Sequence, residues 1–510
     1  MTTTPAPAAA TIAETTPDEL EQVLQRAAAA APTWAAATAG ARARALVAVA
    51  DALLANADDL VPIGLPETGL AEARLRGELL RTAVQLRLFA ETVVDGSYLD
   101  VRIDEADPDF ALGARPDLRR VLVPLGPVVN FAASNFPFAF SVAGGDTASI
   151  LAAGCPVILK VHDGHPRLSL ATAAVVEAAL RASGAPDGVF QTIIGQEAGV
   201  DALQDERVRA ASFTGSLRAG RILADLAAAR PVPIPFFGEL GSVNPVFVTQ
   251  TALDESADTI ATGFVTSVAG SAGQLCTKPG FVYLPDGAGL DESIREAAAA
   301  VPEHRLLNDR ITAGYEARRD TILGTGGVRV IAEGSLRVDE DGDGWATPTI
   351  VAVSLDALRA GRDALLDEAF GPLSIIVEVP VGTALAPLVP EFCEGNLTAT
   401  LHAGAEETSD DLVELVRLLS AHAGRVLFGG WPTGVAVTPA MQHGGPWPAT
   451  TNDSSTSVGT AAITRFLRPV AFQNMPDRFL PEVLRSSTTD VPRTVAPAGE
   501  STHWGEAAQR

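Results

Sequence analysis

The chain is predicted to be an α/β protein of more than one domain, and three observations carry that expectation. Its 510 residues exceed what a single ordinary core organises. Between residues 126 and 241, short β-branched and aromatic runs alternate with Ala- and Leu-rich runs of helical period, and glycines mark the boundaries. Such alternation packs as a parallel sheet covered on both faces, with ligands taken at the carboxyl ends of the strands.

In chain order, residues 1–15 are Thr-, Pro- and Ala-rich and read as a flexible arm. Residues 18–94 read as helical, interrupted at 62–69 where Pro62, Pro66 and Gly69 fall. The runs 99–103 and 118–125 are β-rich and suit a hairpin or an edge extension. Strand 128–132, helix 142–153, strand 157–160, helix 168–183 and strand 189–195 follow. A short helix, strand 210–214, helix 217–229 and strand 234–240 complete the first alternating region. A second runs from 246 to about 470. Beyond 486 the text is polar and Pro-containing, which predicts a disordered tail.

Composition narrows the function. The chain is 47% hydrophobic and 19% charged, with ample material for large cores. A formal net charge of −25 argues against nucleic-acid phosphate as a partner, since that requires clustered Lys and Arg. The most apolar stretch, 126–145, is interrupted by Asn130, Ser134, Asn135 and Pro137, so no membrane span is expected. No basic segment precedes an apolar run at the N-terminus, which points to a cytoplasmic protein. Cys155, Cys276 and Cys393 form neither a CxxC pair nor a disulfide framework.

Cys276 sits in Gly273-Gln274-Leu275-Cys276-Thr277, after a run of small residues. Little bulk surrounds the thiol, so a bound carbon centre could approach it closely. A lone cysteine is as readily an inert buried thiol, and its meaning rests on company. Glu239 ends an apolar strand beside Gly238 and Leu240-Gly241, and such surroundings predict a raised pKa suited to a general base. Asn135, in Ser134-Asn135-Phe136-Pro137, is a neutral donor for an oxyanion or a turn-forming Asn. Gly195–Gly199 and Gly215–Gly220 each place glycine at a strand-to-helix turn, where a helix N-terminus could meet a pyrophosphate or the turn could simply need glycine. The segment 339–344 copies half a calcium loop, but Ile350 stands where the bidentate Glu belongs, so an acidic β-turn is expected. His162 and His165 lack zinc-helix spacing and read as a loop.

Together these stretches resemble the aldehyde dehydrogenase superfamily. Asn135-Phe136-Pro137, Lys160, Phe213-Thr214-Gly215-Ser216, Glu239-Leu240-Gly241, Gly273 to Thr277 and Glu368-Ala369-Phe370-Gly371-Pro372 occur in that family's order and span most of residues 120–450. The fold implied is a Rossmann-like cofactor domain, 1–103 with 124–241, and an α/β catalytic domain, 242–461. A β-rich oligomerisation element, 104–123 with 462–485, joins them, and the polar tail is 486–510. The resemblance implies Cys276 as nucleophile, Asn135 with the Cys276 backbone N–H as oxyanion donors, and Glu239 as the base for thioester hydrolysis. It implies Lys160 and Glu368 at the two riboses, Gly215 and Ser216 at the pyrophosphate, and Phe370 beside the nicotinamide ribose. Ser134 departs from the bulky aromatic that many relatives carry there.

A finer resemblance is to the branch that oxidises α-ketoglutaric semialdehyde to 2-oxoglutarate. It rests on 133–148, Glu239 to Pro245, Pro432 to Val435 and His443-Gly444-Gly445-Pro446. Dehydrogenases of fatty and other aldehydes share that branch. The dicarboxylate-like product implies a cation near the substrate; Arg81 is the candidate, with Gln85 one turn further along its helix. Asp163, three residues after Lys160, would repel a 2′-phosphate, which predicts NAD over NADP. A homodimer or homotetramer is implied. Glu239 argues against a CoA-acylating enzyme, which needs no water-activating base. A catalytically silent relative would have no need for thiol, base, amide and ribose-binding acid together.

Overall fold

A computed structural model describes residues 12–509. Four helices open it: Pro17–Ala35, Ala39–Ala55, Ala57–Thr68 and Glu72–Asp95. The helical reading of 18–94 therefore holds, but its interruption moves. Pro62 and Pro66 lie inside the third helix, which ends at Gly69 in the left-handed region. Burial of Leu60, Val61 and Gly64 on that helix offsets the backbone bond each proline removes. Of the expected arm, residues 1–11 lie outside the described residues. Thr15 and Thr16 are packed: Thr15 Oγ1 accepts from Ile194 N at 2.8 Å, and Thr16 caps the first helix through a capping box.

The first alternating region forms a five-stranded, all-parallel sheet. Its order is Phe190–Ile193, Val157–Lys160, Val128–Phe131, Ala210–Thr214 and Phe236–Glu239. Helices Gly145–Ala153, Pro166–Ala182, Gln196–Gln204 and Leu217–Ala229 connect the strands, as the glycine-marked alternation predicts.

The second region forms a seven-stranded sheet ordered Arg329–Ala332, Thr349–Ser354, Leu373–Val379, Phe281–Pro285, Pro245–Val248, Asn396–His402 and Ala423–Phe428. All neighbours run parallel except the antiparallel edge strand Arg329–Ala332. The inner strands are buried along most of their length; Thr349–Ser354 and Leu373–Val379 are largely apolar runs, whereas Asn396–His402 alternates apolar with buried polar residues.

Val101–Asp104 and Leu118–Pro124 pair antiparallel, as the hairpin reading expects. Leu467–Gln473 joins on one side and Arg493–Ala496 on the other, giving a separate four-stranded sheet. The last strand overturns the expectation of a disordered tail. Arg115 holds it, donating to Ala496 O at 3.2 Å, Pro497 O at 3.1 Å and Glu500 Oε1 at 2.8 Å. Trp504 meets Phe110 edge to face at 5.4 Å. Partners nearly 400 positions away outweigh the local polarity of the tail.

The acidic segment 339–344 is the β-turn it promised. Asp339 Oδ1 accepts from Asp341 N and Asp343 N between two short paired strands. No helix among the described residues is long and apolar enough to cross a membrane.

Candidate active site

A strand end of the five-stranded sheet and a loop of the second alternating region meet in one place. Glu239 is the last residue of its strand and is almost wholly buried. Cys276 comes from the second alternating region, in the turn between helix Gln250–Ala269 and strand Phe281–Pro285. In that turn Ser271, Ala272 and Gly273 all have left-handed backbone, with φ of 49°, 52° and 65°. A Cβ on Gly273 would lie 2.2 Å from Gly371 O, so the two glycine motifs around Cys276 and Phe370 are pressed backbone to backbone. Strain of this kind, held by its surroundings, lifts the cysteine into the site.

The loop is pinned from several sides. Asn244, buried and itself left-handed at φ 47°, donates to Cys276 O at 2.8 Å and Lys278 O at 2.9 Å. The Gln274 side chain donates to Ser271 O and accepts from Leu307 N. Asn135 Nδ2 donates to Gln274 O at 3.1 Å, which takes one of its two N–H donors and places the amide beside the cysteine loop. Glu78 accepts from Phe138 N and Ala139 N, and Arg74 stacks 4.6 Å from the centre of the Phe136 ring. Helix Glu72–Asp95 thus sets the position of the Asn135 loop.

At the centre, His443 Nε2 lies 2.9 Å from Glu239 Oε1 and 3.5 Å from Cys276 Sγ. Ser457 Oγ donates to Glu239 Oε2. Burial alone would raise the Glu239 pKa, but His443, Ser457 and Cys276 together outweigh it and hold the carboxyl below its ordinary value. That reverses the expectation of a raised Glu239 pKa: the donors that overcome burial lie 204 and 218 residues away in sequence. Cys276 moves the other way. Burial, then the facing Glu239 carboxylate, push its thiol well above the ordinary range, so the free site holds a neutral thiol beside a carboxylate.

Along the carboxyl edge of the five-stranded sheet, Lys160 ends its strand and its Nζ lies 2.6 Å from Asp163 Oδ1. Burial opposes ionisation of Asp163, but Lys160, His162 and Arg310 outweigh it and lower the pKa. Arg310 is a cation that the local sequence does not reveal. Gly215 and Ser216 are exposed at the start of helix Leu217–Ala229, where Ser216 is the N-cap and Gly215 N donates to Glu239 O. Gly195 differs: the Glu14 side chain lies against it, with Cδ 3.0 Å from where a Cβ would stand. A carboxylate of the chain therefore covers the first of the two glycine turns.

Glu368 is half-buried, and a Cβ on Gly241 would meet its Oε2 at 2.5 Å, so Gly241 keeps room for this acid. Burial raises the Glu368 pKa, with Lys278 opposing. Phe370 follows, half-buried, before Gly371. These residues fit a dinucleotide: a lysine and an open helix N-terminus stand along the carboxyl edge of the five-stranded sheet, and an acid from the loop before strand Leu373–Val379 lies against Gly241, just past that edge.

Arg81 lies with its guanidinium carbon 5.2 Å from the centre of the Phe140 ring, and its buried Nη1 has no hydrogen-bond partner among the described residues. Burial lowers its pKa, while Glu78, Cys276 and Glu239 favour its charge. It faces the catalytic cluster. Gln85 is buried beside Gly145, next to Ser457 O. His165, the residue before helix Pro166–Ala182, is buried and bonds Ala133 O at 2.9 Å and Ser169 Oγ at 2.9 Å.

Sequence reasoning missed roles for His443, Ser457, Asn244, Arg74 and Glu78. Two of them stand in quoted motifs, His443-Gly444-Gly445-Pro446 and the Asn244-Pro245 pair, and a titratable residue beside Gly-Gly was the signal for His443.

Two parallel sheets meeting at a strained thiol and a strand-end carboxylate define the class of protein that comparison finds. A family model described as the aldehyde dehydrogenase family matches residues 3–381, and the chain belongs to that family. The chain is 45% identical over 452 residues to alpha-ketoglutaric semialdehyde dehydrogenase 2 of Azospirillum brasilense, covering 88% of this chain and 85% of that protein. It is 42% identical over 430 residues to alpha-ketoglutaric semialdehyde dehydrogenase of Acinetobacter baylyi, covering 84% and 81%. Among solved structures, an NAD-dependent aldehyde dehydrogenase from Sinorhizobium meliloti superposes with a TM-score of 0.75 at 22% identity, covering 91% of this chain and 88% of that one. The chain is an enzyme that oxidises aldehydes.

Proposed function

We propose that the protein oxidises α-ketoglutaric semialdehyde to 2-oxoglutarate with NAD. The observation that carries this is the convergence of Cys276, His443 and Glu239, with the buried Arg81 Nη1 near them and without a hydrogen-bond partner among the described residues. The names of the two relatives above 40% identity support the substrate.

Glu239, ionised and 2.9 Å from His443 Nε2, takes the thiol proton of Cys276. The thiolate attacks the aldehyde carbon, and the free N–H of Asn135 with the Cys276 backbone N–H holds the resulting oxyanion. NAD, when bound, would supply the hydride acceptor for oxidation to the acid level. Lys160 and Glu368 would hold its riboses, and Gly215, Ser216 and Phe370 the pyrophosphate and nicotinamide ends. Glu239 then activates the water that releases the acid. Arg81 pairs with the distal carboxylate of the substrate, and Gln85 supports the same wall.

Asp163 beside Lys160 supports NAD over NADP, and the ratio of kcat/KM for the two cofactors tests it. The four-stranded sheet, near which Met475, Phe479 and Val495 stand exposed, is the proposed contact of a homodimer or homotetramer. The first 103 residues with 124–241 make the proposed NAD-binding domain, and 242–461 the catalytic one. The acidic balance supports the cytoplasm. The deciding experiment is NAD reduction on a panel of α-ketoglutaric, succinic and long-chain semialdehydes or aldehydes, with Cys276→Ala as blank. A higher kcat/KM for a long-chain aldehyde would move the enzyme to the fatty-aldehyde reading.

A further inference from the structure

We infer that Cys276, His443 and Glu239 also form a binding site for a thiophilic divalent cation of the zinc class, and that its occupation reversibly masks the nucleophile. Their ligand atoms all lie within 4.8 Å of one another. The inference needs only this geometry and is independent of which aldehyde the enzyme oxidises.

A thiolate, an imidazole nitrogen and a carboxylate are the donor types that zinc selects, and three protein ligands with one open position are a common zinc arrangement. With ordinary Zn–S, Zn–N and Zn–O bonds, a tetrahedral ion sets sulfur and nitrogen about 3.6 Å apart and nitrogen and oxygen about 3.4 Å apart. Here Sγ to Nε2 is 3.5 Å and Nε2 to Oε1 is 2.9 Å. Small side-chain rotations therefore admit the ion between them, without moving the loops.

The surroundings suit a metal as well. Ser457 fixes the far oxygen of Glu239, leaving Oε1 to face the cysteine side. Asn244 holds the carbonyl of Cys276 itself. The ring proton that Nε2 donates to Glu239 must shift for a metal to bind there, and His443 Nδ1, buried without a hydrogen-bond partner among the described residues, is unoccupied and can take it. A divalent cation with one thiolate, one carboxylate and one neutral imidazole leaves the trio without net charge, which limits the cost of burying it.

On binding, the Sγ–H bond breaks, its proton leaves to solvent and a Zn–S bond forms; the imidazole proton moves to Nδ1. No electrons change hands. The sulfur lone pair that would attack an aldehyde is then committed to the metal, and so is the oxygen of Glu239 that would receive the thiol proton. A chelator reverses the step.

The test follows thiol labelling, which needs no turnover. Cys155 and Cys393 are buried, so iodoacetamide labelling of the native full-length protein reads Cys276. Micromolar Zn2+ is expected to slow labelling of wild type at least about tenfold, with the rate restored by EDTA. Co2+ is expected to give a sulfur-to-cobalt charge-transfer band in wild type and none in Cys276→Ser. His443→Phe and, separately, His443→Gln should each weaken Zn2+ protection by at least about tenfold while circular dichroism stays unchanged. Equal protection in folded His443 variants would assign the effect to the lone thiol and overturn the site. So would wild-type labelling that Zn2+ leaves untouched.

Discussion

His443 Nε2 stands 2.9 Å from Glu239 Oε1 and 3.5 Å from Cys276 Sγ, so one ring nitrogen joins the nucleophile to its base. This contact also sets the sign of the Glu239 shift. A carboxyl buried between two sheets would ordinarily resist ionisation; here the imidazole and the Ser457 hydroxyl overcome burial.

Glu239→Gln separates the two effects of that carboxylate. Its charge helps to raise the Cys276 pKa, so its removal shifts the midpoint of pH-dependent iodoacetamide labelling to lower pH. Turnover falls on the order of 10²–10⁴-fold with loss of the base. A midpoint that stays put or rises contradicts the electrostatic account.

His443→Phe acts on Glu239 in the opposite sense. Glu239 has a folded pKa below its ordinary value, so its contribution to stability is present above that value and is lost as pH falls through the folded pKa. Without the imidazole the folded pKa rises, and the acid limb of the kcat profile moves to higher pH. The profile of the variant against wild type checks this.

Arg81→Ala is expected to raise KM for α-ketoglutaric semialdehyde by about one to two orders of magnitude, in line with the loss of a charged hydrogen bond. KM for an uncharged aliphatic aldehyde of similar length should scarcely change. Equal effects on both substrates would make Arg81 a packing residue over Phe140.

Gly273→Ala probes the strained turn. A methyl there would face Gly371 O at 2.2 Å in a left-handed backbone, so destabilisation of about 2–4 kcal/mol is expected in urea unfolding. Activity should be lost with it.

Arg115→Ala releases the C-terminal strand from its charged anchor, at a cost of about 1.5–3 kcal/mol for each bond to a charged group that goes unreplaced. Limited trypsin digestion near Arg493 should accelerate, with kcat of the intact enzyme unchanged. Unchanged cleavage would show that the pairing of Arg493–Ala496 with Val101–Asp104 suffices alone.

By itself the sequence determined the local elements and the kind of chemistry. Alternating β-branched and Ala-rich runs with glycine stops specify parallel strands, because those preferences act within a few residues. The order of short motifs around Asn135, Glu239, Cys276 and Glu368 was enough to indicate the family. Only the tertiary structure decided what those residues face. His443 and Ser457 reach Glu239 across 204 and 218 positions, and Arg115 orders a tail that reads as unstructured. Such contacts arise where the two sheets and their loops pack, and no local period encodes them. For the same reason the Glu239 pKa was misjudged from its apolar neighbours: burial can be read along a strand, but the donors that outweigh it come from elsewhere in the chain.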